Sequence, residues 1–414
     1  MRRWEEKEGL PVHRLQHDKR GSIYAYATEL DTWRESRRHL VEAEGSTSPA
    51  TASSERSLER RIAWPWSVVA AIVLAVVAGV GWAIVRPAPR APDPEAVRLV
   101  GLANFSGNAG RQQIETGLRY LSDAIARDPG YARAWSGLAI AQLVHMWFSE
   151  QPAREAAALA RKSASEAIRL DPSSGAPWRV LAFISHVVDF DHQAAEAQFR
   201  KAVAMNPKDP VAHSWFGDFL VDMRRFEEAR AAYRRAQEAA PRWLEPIAFA
   251  GNVLFFTGHP ELAVPEYRRV LDSEPSFGLA NHFLGRALIA TGEYEQGIDR
   301  LRRSNELLGH VPFAVGDLGY ALGVAGRREE AEALRAQLTE RRQRGYYPAF
   351  PLALIEIGMG HTEPALEWFE QAIEERQVGF YLPSADPTFD ALRGHPRFEA
   401  AMRRLNLEGV QPPR

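Results

Sequence analysis

A chain of 414 residues is too long for one hydrophobic core, and 45% hydrophobic with 25% charged residues is an ordinary globular composition that excludes disorder throughout. The formal net charge of −2 excludes a global field for nucleic acid or an acidic membrane surface, so any such binding must come from a local patch. The absence of cysteine excludes thiol catalysis, disulfides and cysteine-type zinc sites, and leaves the redox compartment open. Lysine supplies only five of the 51 basic residues, and this arginine skew with abundant alanine suggests a GC-rich bacterial genome.

At the N-terminus, Glu5 to Glu8 run into Gly9, a helix stop. Val12 to Gln16 and Ser22 to Ala27 are strand candidates around the polar tip His17-Asp18-Lys19-Arg20-Gly21, and Thr28 to Arg37 can be capped and run as a helix. A hairpin with a basic tip reads as a wing. The segment resembles the excisionase/MerR-type winged helix-turn-helix, through Arg3-Trp4-Glu5, Gly9 to Arg14, Gly21-Ser22, Tyr24-Ala25-Tyr26, Glu29-Leu30-Asp31 and Trp33. The resemblance implies a helix in the major groove and a wing tip on backbone phosphates, involving Arg2, Arg3, His13, Arg14, Lys19 and Arg20. That family carries a further stretch before Arg3, and Met1 stands where its recognition helix is already under way. The head is therefore partial: either a coding start lies upstream, or this copy has lost DNA binding. Residues 1–61 carry 12 Lys/Arg and 11 Asp/Glu, so only the wing tip stands out in charge.

Residues 41–61 are rich in Ser, Thr and Ala and read as a flexible tether. Ile62 to Val85 hold no charged side chain for 24 positions, enough helix to cross a hydrocarbon core of about 30 Å. Trp64 and Trp66 at one end and Trp82 at the other fit the interfacial belt. A single spanning helix is expected, in a bacterial inner membrane. Arg56, Arg60 and Arg61 on one flank balance Arg86, Arg90 and Arg98 on the other, so flank charge does not choose the orientation. Arg34, Arg37 and Arg38, with the character of the head, favour a cytoplasmic N-terminus and an extracytoplasmic remainder. Ala71, Ala75, Gly79 and Ala83 form a small-residue stripe through which two copies could pair as a homodimer.

Beyond a proline-rich connector, residues 86–95, the sequence repeats. Proline ends a helix at Pro172, Pro207, Pro241 and Pro275, a period of 34 to 35 residues. In the same frame, Phe216-Gly217, Ala250-Gly251 and Leu284-Gly285 place a large or small residue before a glycine on the first helix. Ala229 and Ala263, Tyr233 and Tyr267 fall at matching offsets on the second, and Gly309 replaces the next proline. Leu318-Gly319 and Leu352-Ala353 continue the frame. Trp178, Leu181-Ala182, Trp135 and Leu138-Ala139 extend it upstream, with about nine extra residues around Met146 to Arg154. Over roughly residues 96–380 the sequence resembles the tetratricopeptide (TPR) family, which implies about eight antiparallel helix pairs stacked in a right-handed superhelix. The first helix of each pair would line a concave face for an extended peptide or a partner helix. By position that face would carry Arg179, His186, Ser214, Asp218, Asp222, Asn252, Phe255, His282, Arg286 and Tyr320. Residues 381–414 break the period and resemble the segment that closes such arrays in bacterial sensor-like proteins, so a cap is expected there.

The expected fold is thus mainly α: a TPR solenoid, one transmembrane helix and a partial winged-helix head over residues 1–40. No phosphate-binding loop, nucleophile elbow, zinc-type histidine pair or dinucleotide turn is present, and the 12 histidines lack ligand spacing. No catalytic, metal or cofactor site is expected, and the chain does not read as an enzyme. The order of parts suggests a one-component transmembrane regulator that receives a protein or peptide signal and binds promoter DNA. A membrane-anchored scaffold for envelope protein assembly, with a head that no longer touches DNA, is the alternative.

Overall fold

The computed structural model describes residues 13–15, 22–24, 91–103, 110–379 and 381–407, and the chain divides into two units, residues 1–88 and 89–414. In the first unit, β1 (His13–Leu15) and β2 (Ser22–Tyr24) pair antiparallel with His13 opposite Tyr24 and Leu15 opposite Ser22. Both strands fall within the segments expected to form the hairpin. The helices expected beside it, the tether and the expected span Ile62 to Val85 lie outside the described residues, as do Arg2, Arg3, Lys19 and Arg20. Among the described residues no helix is long and apolar enough to cross a membrane.

The second unit is built from antiparallel helix pairs. They are α1 (Pro94–Leu102) with α2 (Arg111–Arg127), α3 (Ala132–Phe148) with α4 (Ala153–Leu170), α5 (Ala176–Ile184) with α6 (His192–Met205), and α7 (Pro210–Asp222) with α8 (Phe226–Ala239). Next come α9 (Glu245–Phe256) with α10 (Pro260–Ser273), α11 (Gly278–Ala290) with α12 (Tyr294–Leu308), α13 (Pro312–Val324) with α14 (Arg328–Arg344), and α15 (Phe350–Gly358) with α16 (Thr362–Glu375). A 3₁₀ turn (Pro387–Leu392) and α17 (Pro396–Arg404) follow.

The period has a physical cause at each boundary. α4, α6, α8 and α10 each end two residues before Pro172, Pro207, Pro241 and Pro275, because the residue preceding a proline is pushed out of the helical region. At the corresponding place after α12, Gly309 takes φ 80° and caps the helix in the left-handed conformation instead. Within a pair, the two helices approach through the glycine of the first. A Cβ on Gly217 would lie 2.6 Å from the Tyr233 ring, and one on Gly251 would lie 2.8 Å from Tyr267. Both tyrosines are fully buried, so the small residue and the ring are two halves of one packing unit.

The seventh pair departs from this plan. α14 is strongly charged and buries only Ala331 and Leu338, while α13 packs chiefly against α15. There a Cβ on Gly323 would fall 2.4 Å from the carbonyl carbon of Gly358. The extra residues of the second pair also have a use. They lengthen α3 and α4 so that Phe148 meets Phe313 edge-on at 6.1 Å, and Glu150 meets both Arg111 and Arg341. Arg111 Nε donates to Phe148 O at 2.8 Å, and Gln377 Nε2 donates to Met146 O at 3.3 Å. The second pair therefore touches the seventh and the segment after the eighth, and the array closes on itself. Residues 381–386 run back into this closed array, where Tyr381 and Ala385 belong to the same hydrophobic core as α3 to α13.

Candidate functional site

The concave face has two halves, one filled by the chain's own C-terminal segment and one open. In the filled half, Tyr381 donates its hydroxyl to Asp218 Oδ1 at 3.1 Å and accepts from Asn252 Nδ2 at 2.9 Å. Tyr233 also donates to Asp218 (2.7 Å), and Tyr267 donates to Asn252 Oδ1 (2.6 Å), so each pair's buried tyrosine orients the polar residue that meets the tail. Burial pushes Asp218 up to about 8, against the two tyrosine hydrogen bonds that oppose it. The direction favours the neutral form of Asp218, which still accepts through Oδ1.

One turn along, Leu382 N donates to Asp222 Oδ1 at 2.9 Å and Ser384 Oγ donates to Asp222 O at 2.7 Å. Arg224, held in the left-handed region at φ 56°, donates to Ser384 O at 2.7 Å. Arg286 reaches Asp386 at 2.6 Å and Thr388 Oγ1 at 3.1 Å, with Asp317 3.4 Å behind it and Phe255 under its guanidinium at 5.0 Å. His282 lies 3.3 Å from Asp317. Both charges of the Arg286–Asp386 pair are about nine-tenths buried, which makes this the strongest electrostatic anchor of the tail.

A second contact with the tail is relayed by histidines. The five-residue π-helical segment Ser185–Asp189 after α5 places His186 against Asp222 at 2.7 Å and against His192 at 3.0 Å. His192 Nε2 is 2.7 Å from Leu405 O. Since a carbonyl can only accept, His192 donates from Nε2, and its Nδ1 must accept from His186 Nδ1–H. With His186 neutral, its Nε2 is then an acceptor and Asp222 Oδ2 carries the proton. The pKa directions agree: burial pushes Asp222 well up, His186 down to about 3 and His192 down to about 4. In this neutral form the relay is polarised one way.

The ten residues expected to face a partner thus divide. His186, Asp218, Asp222, Asn252 and Arg286 bond the C-terminal segment or the relay to it, and Phe255 and His282 support Arg286 and Asp317. Tyr320 packs in the cores beneath the seventh and eighth pairs. Ser214 is fully buried, with no hydrogen-bond partner for its hydroxyl among the described residues. Arg179 pairs with Asp209, and it and Asp218 are the two of the ten that line the open half.

That open half is a cavity of about 650 Å³ lined mainly by the first helices of the first six pairs. Leu143, Trp147, Phe183, Trp215, Phe249 and Leu279 give it an apolar wall, and Arg133, Arg179 and Glu245 supply charge. Arg179 stacks on Trp215 at 5.6 Å, and its Nε is buried with no partner among the described residues. The tryptophans were not foreseen, although Trp215 follows Ser214 directly and Trp147 stands in the insertion that closes the array. No group of three or more potential metal ligands occurs among the described residues.

Models of the tetratricopeptide repeat match residues 189–248 and residues 250–304. The chain carries tetratricopeptide repeats. The matched stretches cover α6 to α12, the region where the proline and glycine–tyrosine frame is most regular. No curated protein matches the chain. Among solved structures, one from a functional characterisation of Pseudomonas aeruginosa pilF is 20% identical, with 52% of this chain and 93% of that one covered and a TM-score of 0.38. YrrB, described as a TPR protein with an unusual peptide-binding site, is 18% identical over 52% of this chain and 93% of its own, with a TM-score of 0.29.

Proposed function

We propose that this protein is a membrane-anchored receptor whose repeats bind a segment of a protein partner in the open cavity. The observation that carries this reading is the division of the concave face: the chain's own residues 381–388 occupy one half, and the other keeps an apolar, aromatic-walled space of about 650 Å³. Cavities of this size and character are what binding sites offer, with apolar walls for affinity and a few polar groups for orientation. A partner would insert one or two bulky apolar side chains between Trp147, Phe183 and Trp215, next to Arg179.

The uncharged run Ile62 to Val85 supports a single span in a bacterial inner membrane, and the arginines of the head support a cytoplasmic N-terminus with the repeats outside. The small-residue stripe Ala71 to Ala83 would let two copies pair there. The paired strands β1 and β2, between which the sequence carries the basic run Lys19-Arg20, favour a DNA-binding head and hence a one-component regulator, with Arg2, Arg3, His13, Arg14, Lys19 and Arg20 as its proposed DNA contacts. A scaffold for envelope assembly shares the span and the repeats but not the DNA contact.

Two experiments test these readings. A photo-crosslinking side chain at Val144 or Trp215 of the full chain in cells should capture one and the same segment of one protein, and at exposed Leu159 or Leu262 should not; equal capture at all four positions rejects the cavity. A gel-shift titration of the full chain against DNA of its own promoter at fixed salt should saturate for a regulator, and the absence of a shift moves the protein to the scaffold reading.

A further inference from the structure

A second cavity, of about 310 Å³, lies on the outside of the closure, between α4 and the turn that ends α16. Arg154 and Arg161 are seven residues apart on α4, two turns on one face and roughly 10 Å along the axis. Between them, Ala157 and Ala158 form a floor with no side chain to fill the space. Arg376 closes the cavity from the end of α16. It holds the left-handed conformation at φ 60°, a position where glycine is the default, and its guanidinium lies over Phe190 at 4.5 Å.

The charges in this cavity do not balance. Three guanidinium groups face one carboxylate, Asp189, which pairs with Arg161 at 2.7 Å. Arg376 reaches only the backbone carbonyl of Asp189, at 3.5 Å, and Arg154 has no acidic partner among the described residues. Arg154 also stands in the first turn of α4, where the helix dipole favours a negative charge and disfavours a cation. Burial, Arg154 and Arg404 lower the pKa of Arg376 and outweigh the opposing pull of Asp189, as expected where guanidinium groups outnumber the carboxylate among them.

We infer that this cradle binds a phosphate-type dianion, with Arg154, Arg161 and Arg376 as its ligands. Arginine forks suit tetrahedral oxyanions because two parallel N–H donors meet two oxygens, and three of them around an alanine floor leave room for the group itself. A free phosphate and a phosphate monoester on a lipid headgroup present the same chemistry to the three side chains.

The test is calorimetric titration of the full chain, in an uncharged detergent at low ionic strength, with inorganic phosphate and with short-chain dihexanoyl phosphatidic acid. Saturable binding of at least one probe is expected. Arg154→Gln, which breaks no contact in the fold, should weaken it about threefold to tenfold. Ala158→Glu, which places a carboxylate on the floor, should abolish it while leaving the melting temperature unchanged. Equal affinity for the two probes assigns the site to the free anion, and tighter binding of phosphatidic acid assigns it to a headgroup. Failure of both probes to saturate, or wild-type affinity in both variants, overturns the inference.

Discussion

The hydroxyl of Tyr381 reaches Asp218 Oδ1 at 3.1 Å across 163 residues of sequence, and the same oxygen accepts from Tyr233 of its own helix pair at 2.7 Å. One side chain of the C-terminal segment thereby occupies part of the concave face. Tyr381→Phe removes a donor to Asp218 and an acceptor for Asn252, both buried. Urea unfolding of the full chain should show a loss of roughly 1–3 kcal/mol, the cost of leaving buried polar groups short of a partner.

Arg286 is a more demanding anchor. Arg286→Met would strand Asp386 and Asp317 as buried carboxylates with their cation removed. A destabilisation of about 3–5 kcal/mol is expected. Limited proteolysis should then cut within residues 381–395, a region expected to resist cleavage in the unaltered protein.

The buried acids and histidines set opposite pH dependences. Asp218 and Asp222 have pKa values raised above 3.8 in the fold, so their contribution is fully present below that value and is lost as pH rises through the folded pKa, about 8 for Asp218. His186 and His192 are lowered from 6.5 to about 3 and about 4, so theirs is present above 6.5 and is lost as pH falls. The two pairs oppose one another between pH 4 and 6.5, and from 6.5 to 8 only the acids still change. The melting temperature should therefore fall over that upper interval. Asp218→Asn keeps an acceptor for both tyrosines but cannot ionise; it should flatten the fall and melt roughly 2–4 °C higher at pH 8.

The close approach of paired helices can be read from one atom. Gly217→Ala puts a Cβ 2.6 Å from the Tyr233 ring, which is held in place by its bond to Asp218. Overpacking of this kind should cost about 1–3 kcal/mol by urea unfolding. The double change Gly217→Ala with Tyr233→Leu should recover part of it.

The repeat frame was legible because its punctuation is local. Proline stops a helix wherever it stands, and glycine facing tyrosine repeats at a fixed offset, so neither signal depends on distant parts of the chain. The resemblance to the repeat family puts Asp218, Asp222, Asn252 and Arg286 at inward positions for a partner; in the structure they bond the chain's own C-terminal segment. What meets them was not legible. Tyr381, Ser384 and Asp386 lie in a stretch without periodicity, and nothing in their order indicates that they return 100 to 163 residues to the groove. The residues around Met146 to Arg154 were visible as an insertion, but Phe148 against Phe313 is a consequence of closure that no local pattern encodes. The open cavity was missed because its tryptophans sit beside the frame positions and not on them.

The most direct test of a concave face half occupied by the chain itself is amide hydrogen exchange of residues 381–386 in the full chain. Leu382 N–H is buried against Asp222, and its neighbours are seated in the core. The account predicts that these amides exchange as slowly as those of α7 and α9, and only on global unfolding. Exchange within seconds, at the rate of an exposed loop, would contradict it and return the whole concave face to an external ligand.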